Sequence, residues 1–271
     1  MNKSANFIET KEYKRFAEFC DACIKYKYIG ICYGSPGVGK TQSSRHYANW
    51  DKVGYMLDYR NIGRQVVDNP QEILKANTIF YTAPAERATK LSGQLRVLGT
   101  QLESAKHDYE ENTEEEKDNY QFPGFFSEVD LIIVDEVDRL KIQHFEQLRE
   151  IYDENNLALI LVGMPGIEKR LSRYPQLYSR IGFSHEFSPL SKDETHHILE
   201  FKWEELGLPV KMEDFSDYEA VTTIIKITNG NFRLIQRLFT QIDRILEINN
   251  LTTITVEVVE AARDSLVIGI K

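Results

Sequence analysis

Eight consecutive residues, Gly34-Ser35-Pro36-Gly37-Val38-Gly39-Lys40-Thr41, carry the pattern Gly-x4-Gly-Lys-Thr. Glycines let a backbone wrap closely enough for several N–H groups to point at phosphate oxygens. A lysine at the seventh place reaches β- and γ-phosphates, and the hydroxyl after it coordinates magnesium. A plain glycine-rich turn would also fit the composition. The loop, however, follows the apolar run Tyr28-Ile29-Gly30-Ile31-Cys32-Tyr33 and opens a helical stretch to about Trp50. That is the context the phosphate chemistry requires, because the helix N-terminus adds a partial positive charge. The ligand indicated is Mg-ATP, held by Gly34, Ser35, Pro36, Gly37, Val38, Gly39, Lys40 and Thr41, with Thr41 on the metal.

About 95 residues after Lys40, the run Leu131-Ile132-Ile133-Val134 ends in Asp135-Glu136. A buried strand would deliver both carboxylates to its C-terminal edge. Asp135 is expected to position magnesium with Thr41, and Glu136 to polarise the attacking water. Hydrolysis also needs positive charge where the bond breaks. Arg180, in Tyr178-Ser179-Arg180-Ile181, could supply it across a subunit interface, with Arg173 as its competitor. Arg233, in Gly230-Asn231-Phe232-Arg233, could sense the nucleotide from a later helix. Surface arginines are common, so these assignments rest on position alone. The catalytic set expected is Lys40, Asp135, Glu136, Arg180 and Arg233.

Positioning these groups takes an alternation of strands and helices. An amphipathic helix is expected over 9–27 and strands over 28–33, 54–58, 78–82, 129–134, 157–162 and 183–187. Helices are expected over 87–102 and 142–152, and a helix interrupted by Pro175 over 166–180. Such alternation implies a parallel sheet with helices on both faces. After Pro189 the pattern changes to helices over 191–206, 217–228, 232–247 and 255–266. The wide apolar face of Leu234, Ile235, Leu238, Phe239, Ile242, Ile245 and Leu246 marks a small helical domain.

The net charge of −9 does not exclude nucleic acid as a partner. Residues 108–118 hold seven acids and one lysine, so the remainder carries only −3. The acidic run is expected to be a solvated loop or helix end, and the rest can still present a basic stripe. No apolar run is long enough to span a bilayer, and the polar start Met1–Asn6 shows no secretory signal. A cytoplasmic protein with no membrane partner is expected. Cys20 and Cys23 form an isolated Cys-x-x-Cys that suggests redox or metal chemistry. They also share a helical stripe with Phe16, Phe19 and Ile24, which favours core packing.

Together, the phosphate loop, the Asp-Glu strand, the arginine before the last core strand and the later Gly-x-x-Arg resemble the AAA+ ATPases over roughly residues 10–250. Within that superfamily, Val134-Asp135-Glu136-Val137-Asp138-Arg139-Leu140 looks like the DE-x-DRL segment of transposition ATPases. So do Leu161-Val162-Gly163-Met164-Pro165 and Tyr174-Pro175-Gln176-Leu177-Tyr178-Ser179-Arg180. These features are similar to MuB, TniB and TnsC. The resemblance implies an α/β AAA+ domain over 1–189, its parallel sheet sandwiched by helices, and an all-helical lid over 190–271. It further implies assembly on double-stranded DNA, as rings or helical filaments, with little sequence preference. A DDE transposase would be recruited and stimulated, and ATP hydrolysis would drive disassembly. Many AAA+ proteins place a polar sensor where this chain has Gly163-Met164-Pro165, so another side chain orients the water or hydrolysis is slow and partner-dependent. Helicase loaders and secretion-associated adaptors share the same core and are the alternative readings.

Overall fold

The computed structural model describes residues 7–57, 71–84, 91–109, 123–208 and 214–266. They fall into two compact units. One comprises Arg15–Gly34 and Lys40–Glu186; the other comprises Met1–Lys14, Ser35–Gly39 and Phe187–Lys271.

The first unit is built on a five-stranded parallel sheet. Its strands are β1 (Ile29–Tyr33), β2 (Thr78–Thr82), β3 (Leu131–Asp135), β4 (Ala158–Gly163) and β5 (Ile181–Glu186), in the order β2-β3-β4-β1-β5. Strands β3 and β4 are buried along their whole length, as a parallel sheet covered on both faces demands. The pairing Thr82↔Asp135 and Tyr33↔Gly163 brings the C-terminal ends of four strands to one edge. In open parallel sheets that edge is where ligands are held.

The flanking helices are α1 (Lys11–Tyr26), α2 (Lys40–Tyr47), α3 (Trp50–Met56), α4 (Gln71–Leu74), α5 (Leu91–Tyr109) and α6 (Ile142–Glu154). The short α7 (Ile167–Leu171) and α8 (Pro175–Tyr178) follow β4. Pro175 opens α8 at its first turn, where a missing N–H costs nothing, so the expected interruption is a fresh start. Cys20, Cys23 and Cys32 are fully buried. Burial pushes the Cys23 thiol up to about 12, the behaviour of a packing residue and not of a reactive thiolate. Among the described residues no group of His, Cys, Asp and Glu is placed to hold a metal ion, nor is any helix long and apolar enough to cross a membrane.

One expected strand is absent: the stretch from Gly54 lies in helix α3, which ends at Met56 with Leu57 as its cap. Val53 and Leu57 are buried four residues apart and Trp50 packs against the core. The apolar run therefore follows a helical period. The expected helix to Trp50 breaks at Asn49, whose φ of 48° starts α3 on a new axis. Elsewhere the differences are at the ends. Strand β5 begins at Ile181 and α5 continues to Tyr109. Most of the acidic run, residues 110–118, lies outside the described residues, as do positions 87–90 of the expected helix and Asp58.

The helices after Pro189 are α9 (Lys192–Glu205), α10 (Phe215–Thr228), α11 (Phe232–Asn249) and α12 (Val256–Asp264). Ser191 and Glu194 close a capping box on α9, Ser191 Oγ accepting from Glu194 N at 3.2 Å while the Glu194 carboxylate accepts from Ser191 N at 3.0 Å. A separate core of Ile198, Trp203, Ile224, Leu238, Ile242 and Val259 holds the four helices together. Between α10 and α11 the chain turns through Asn229 and Gly230, both at positive φ. A Cβ on Gly230 would stand 2.1 Å from the Leu190 carbonyl oxygen. Gly230→Ala is therefore expected to cost about 1–3 kcal/mol of stability, from the strained φ and the clash together. Chemical denaturation of the purified variant measures it.

Candidate functional site

Strand β3 delivers Asp135 to the sheet edge with almost no exposed surface. The Thr41 hydroxyl, at the start of α2, donates to Asp135 Oδ2 at 2.6 Å. Asp135 Oδ1 accepts the Glu136 N–H at 2.8 Å, and the Asp135 carbonyl accepts the Ala83 N–H at 2.8 Å. The carboxylate is thus held through both of its oxygens, and the residue is pinned again through its backbone carbonyl. Lys40 is also buried, and its ammonium donates to the Gly34 carbonyl. Lys40, Thr41, Asp135 and Glu136 form one constellation in the sheet unit.

Glu136 leaves the strand in a left-handed conformation, with φ 57° and ψ 38°, and caps a 3-10 turn over Val137–Arg139. A non-glycine residue adopts that conformation at a cost, and such positions gather at functional sites. Its side chain is about two-fifths exposed and pairs with Arg139. The rest of the turn is pinned. Asp138 Oδ2 accepts the Met164 N–H at 2.7 Å, and Arg170 donates to the Asp138 carbonyl at 2.7 Å and also to the Leu140 carbonyl. The segments around Asp135-Glu136 and around Gly163-Met164-Pro165 therefore form one hydrogen-bonded assembly.

The loop residues Ser35–Gly39 group with the helical unit, and within that unit Arg233 is placed beside them. Its backbone N–H donates to the Gly37 carbonyl at 3.0 Å. Asn231 caps α11 by accepting the Leu234 N–H at 3.1 Å, and its Nδ2 donates to the Pro36 carbonyl at 2.8 Å. Gly37, at φ 82°, must lack a side chain, because a Cβ would lie 2.5 Å from Asn231 Oδ1. The sequence marks Asn231 only by its place two residues before Arg233, and spacing alone does not identify it as a partner of the loop.

Arg180 is engaged elsewhere. Its Nε donates to Asp153 Oδ1 at 2.5 Å and its Nη2 to Asp153 Oδ2 at 2.9 Å, while Nη1 donates to the Gln176 carbonyl. Asp153 also accepts from Arg149 at 3.0 Å. Arg173 is exposed and makes no side-chain hydrogen bond or ion pair among the described residues.

Residues 23–171 match a family model described as an AAA domain. A protein from Staphylococcus aureus named "Potential ATP-binding protein" is 62% identical over 271 residues, which is the whole of both chains. Among solved structures, the fold is similar to the Aeropyrum pernix ORC2 protein in its ADPNP-ADP complexes, with a TM-score of 0.60 and 14% identity over 100% of this chain and 72% of that one. It is similar too to the Thermotoga maritima RuvB Holliday junction branch migration motor. There the TM-score is 0.56 at 17% identity, covering 96% of this chain and 70% of the other.

Proposed function

Since this chain belongs to the AAA domain family and is an ATP-binding protein of that fold, we propose that it is an ATP-dependent regulator of DNA transposition. It assembles on duplex DNA, selects the target and recruits and stimulates a DDE transposase, and hydrolysis of ATP drives its disassembly. The observation that carries this reading is the assembly around Asp138. The DE-x-DRL segment and the Gly163-Met164-Pro165 segment, both shared in type with the transposition ATPases, are joined through Asp138, Met164 and Arg170. They act as one structural element beside the nucleotide carboxylates.

In the chemistry proposed, backbone N–H groups of Ser35–Gly39 and the Lys40 ammonium hold the phosphates. Thr41 and Asp135 fit magnesium, which takes oxygen donors and few protein ligands. Glu136 polarises the attacking water, and Arg233 reads the nucleotide from the helical unit. The metal supplies charge neutralisation at the phosphates when bound.

Sedimentation of the protein with duplex DNA and a non-hydrolysable ATP analogue tests the reading. Oligomers on DNA that require the analogue and ignore sequence are expected, since phosphate contacts dominate such binding. Protein that stays off DNA under those conditions would end it. Arg180 is proposed to complete the site of a neighbouring copy once Asp153 releases it. Arg180→Ala should then lower turnover of the assembled form about tenfold, the worth of one charge-assisted hydrogen bond. A full loss in Arg173→Ala with Arg180→Ala unaffected would assign that role to Arg173.

A further inference from the structure

In the sheet unit, Arg45 pairs with Asp51, Arg96 with Glu154, Arg149 with Glu146 and Arg180 with Asp153. Helix α11 does the opposite. Arg233, Arg237 and Arg244 are exposed, and among the described residues none of the three side chains makes a hydrogen bond or ion pair. Successive residues of a helix turn by about 100°, so these positions fall within roughly 40° of one another. They face away from the buried side of α11, formed by Ile235, Leu238, Phe239, Ile242 and Leu246. Gln236 and Thr240 are exposed beside them. The acids of the helix do not neutralise the stripe. Asp243 lies about 100° round from Arg244, Glu247 stands beyond the last arginine, and neither pairs with it.

The stability of α11 does not account for these arginines. Arg233 and Arg237 are like charges one turn apart, which repel. Arg233 stands in the first turn, where the helix dipole favours an anion, and that turn holds no acid. We propose that Arg237 and Arg244 grip the phosphates of duplex DNA, in line with Arg233 at the phosphate-loop end of the same helix. This supplies contact residues for the reading of assembly on DNA and rests on it. A chain of net charge −9 repels a polyanion except where cations are grouped and left unpaired, as they are here. Guanidinium forks match phosphate geometry through paired hydrogen bonds. Seven residues separate the two Cα atoms by about 10 Å along the helix axis. Each DNA strand carries a phosphate roughly every 3.4 Å of duplex axis, so both side chains can meet one backbone. A second copy of the chain is the competing occupant. Protein interfaces centre on apolar contacts, whereas DNA-binding surfaces are polar and positively charged. None of the exposed large apolar side chains lies between Arg233 and Arg244, which favours the polyanion.

The test is fluorescence anisotropy of labelled duplex DNA with the full chain and a non-hydrolysable ATP analogue, repeated over a series of salt concentrations. Each phosphate contact contributes about 0.9 to the slope of log affinity against log salt. Arg237→Gln/Arg244→Gln is expected to flatten that slope by about two. Binding should weaken about 10- to 100-fold at about 0.1 M salt, equally for unrelated sequences. Arg237→Lys/Arg244→Lys should keep the wild-type slope, because the charge is conserved. A folded Arg237→Gln/Arg244→Gln with the wild-type slope overturns the proposal, even where affinity falls. A lost contact between copies would leave the number of phosphate contacts per chain unchanged. Where the double variant fails to fold, by circular dichroism, Arg237→Gln and Arg244→Gln decide singly. Each is expected to flatten the slope by about one, and an unchanged slope in both overturns the proposal. Wild-type protein that stays off duplex DNA would remove the underlying reading of DNA assembly instead, which separates the two failures.

Discussion

Lys40→Ala is expected to weaken ATP binding about 10- to 150-fold, the range of a hydrogen bond to a charged group expressed as affinity, and to abolish ATP-dependent assembly. The argument begins with burial. Lys40 is one of the few buried lysines among the described residues, and a buried ammonium must be paired. It donates to the carbonyl of Gly34, at the head of its own loop. Phosphate oxygens are the stronger acceptors, and moving Nζ onto them would leave the loop backbone free to close. Alanine removes the only long cationic side chain of Gly34–Thr41, while the backbone N–H groups remain. Some affinity should therefore survive. Titration with a fluorescent ATP analogue measures the loss, and Lys40→Arg separates charge from shape. Wild-type affinity in Lys40→Ala, or assembly that still responds to ATP, would contradict a phosphate role for this residue.

The sequence made some of this legible and hid the rest for physical reasons. The loop from Gly34 to Thr41 and the pair Asp135-Glu136 are contiguous, and each sits where an apolar run meets a turn, so spacing alone places them at strand ends. The parallel sheet follows from the alternation of apolar runs and helical periods, although one of the six expected strands is a helix, and similar folds support it. Strand order is another matter. That β1 lies between β4 and β5 depends on pairings between runs more than a hundred residues apart, which no local pattern encodes. The segment from Gly54 misled because five residues with three large hydrophobic side chains, Tyr55, Met56 and Leu57, fit a strand as well as a helix. Only the packing of Trp50, Val53 and Leu57 decides between them.

The partners of the site residues were hidden for the same reason. The Arg180–Asp153 pair spans 27 residues and the Asn231–Pro36 bond 195, so neither is visible as spacing. The Arg139–Glu136 pair is local, three residues apart, and closes the short turn that Glu136 opens in a left-handed conformation. A short motif thus points to phosphate chemistry, while the contacts that surround its residues are made only by folding.

Glu136→Gln should separate binding from turnover more sharply than any other change. Glutamine keeps the size of the side chain and one carbonyl oxygen, so the turn over Val137–Arg139 and the neighbouring Asp135 contacts have no reason to shift. What it loses is the charge that draws a proton from water, and a positioned general base contributes about 10²- to 10⁴-fold. Turnover is therefore expected to fall by that factor while affinity for ATP stays within about twofold, an energy difference well below one charged hydrogen bond. If ATP drives assembly and hydrolysis drives disassembly, the variant should also accumulate as an oligomer on DNA that does not come apart. Single-turnover kinetics and sedimentation over time read the two effects independently. Slow turnover with normal disassembly would mean that hydrolysis is not what dissolves the assembly. Normal turnover would mean that the water is activated by some group other than Glu136.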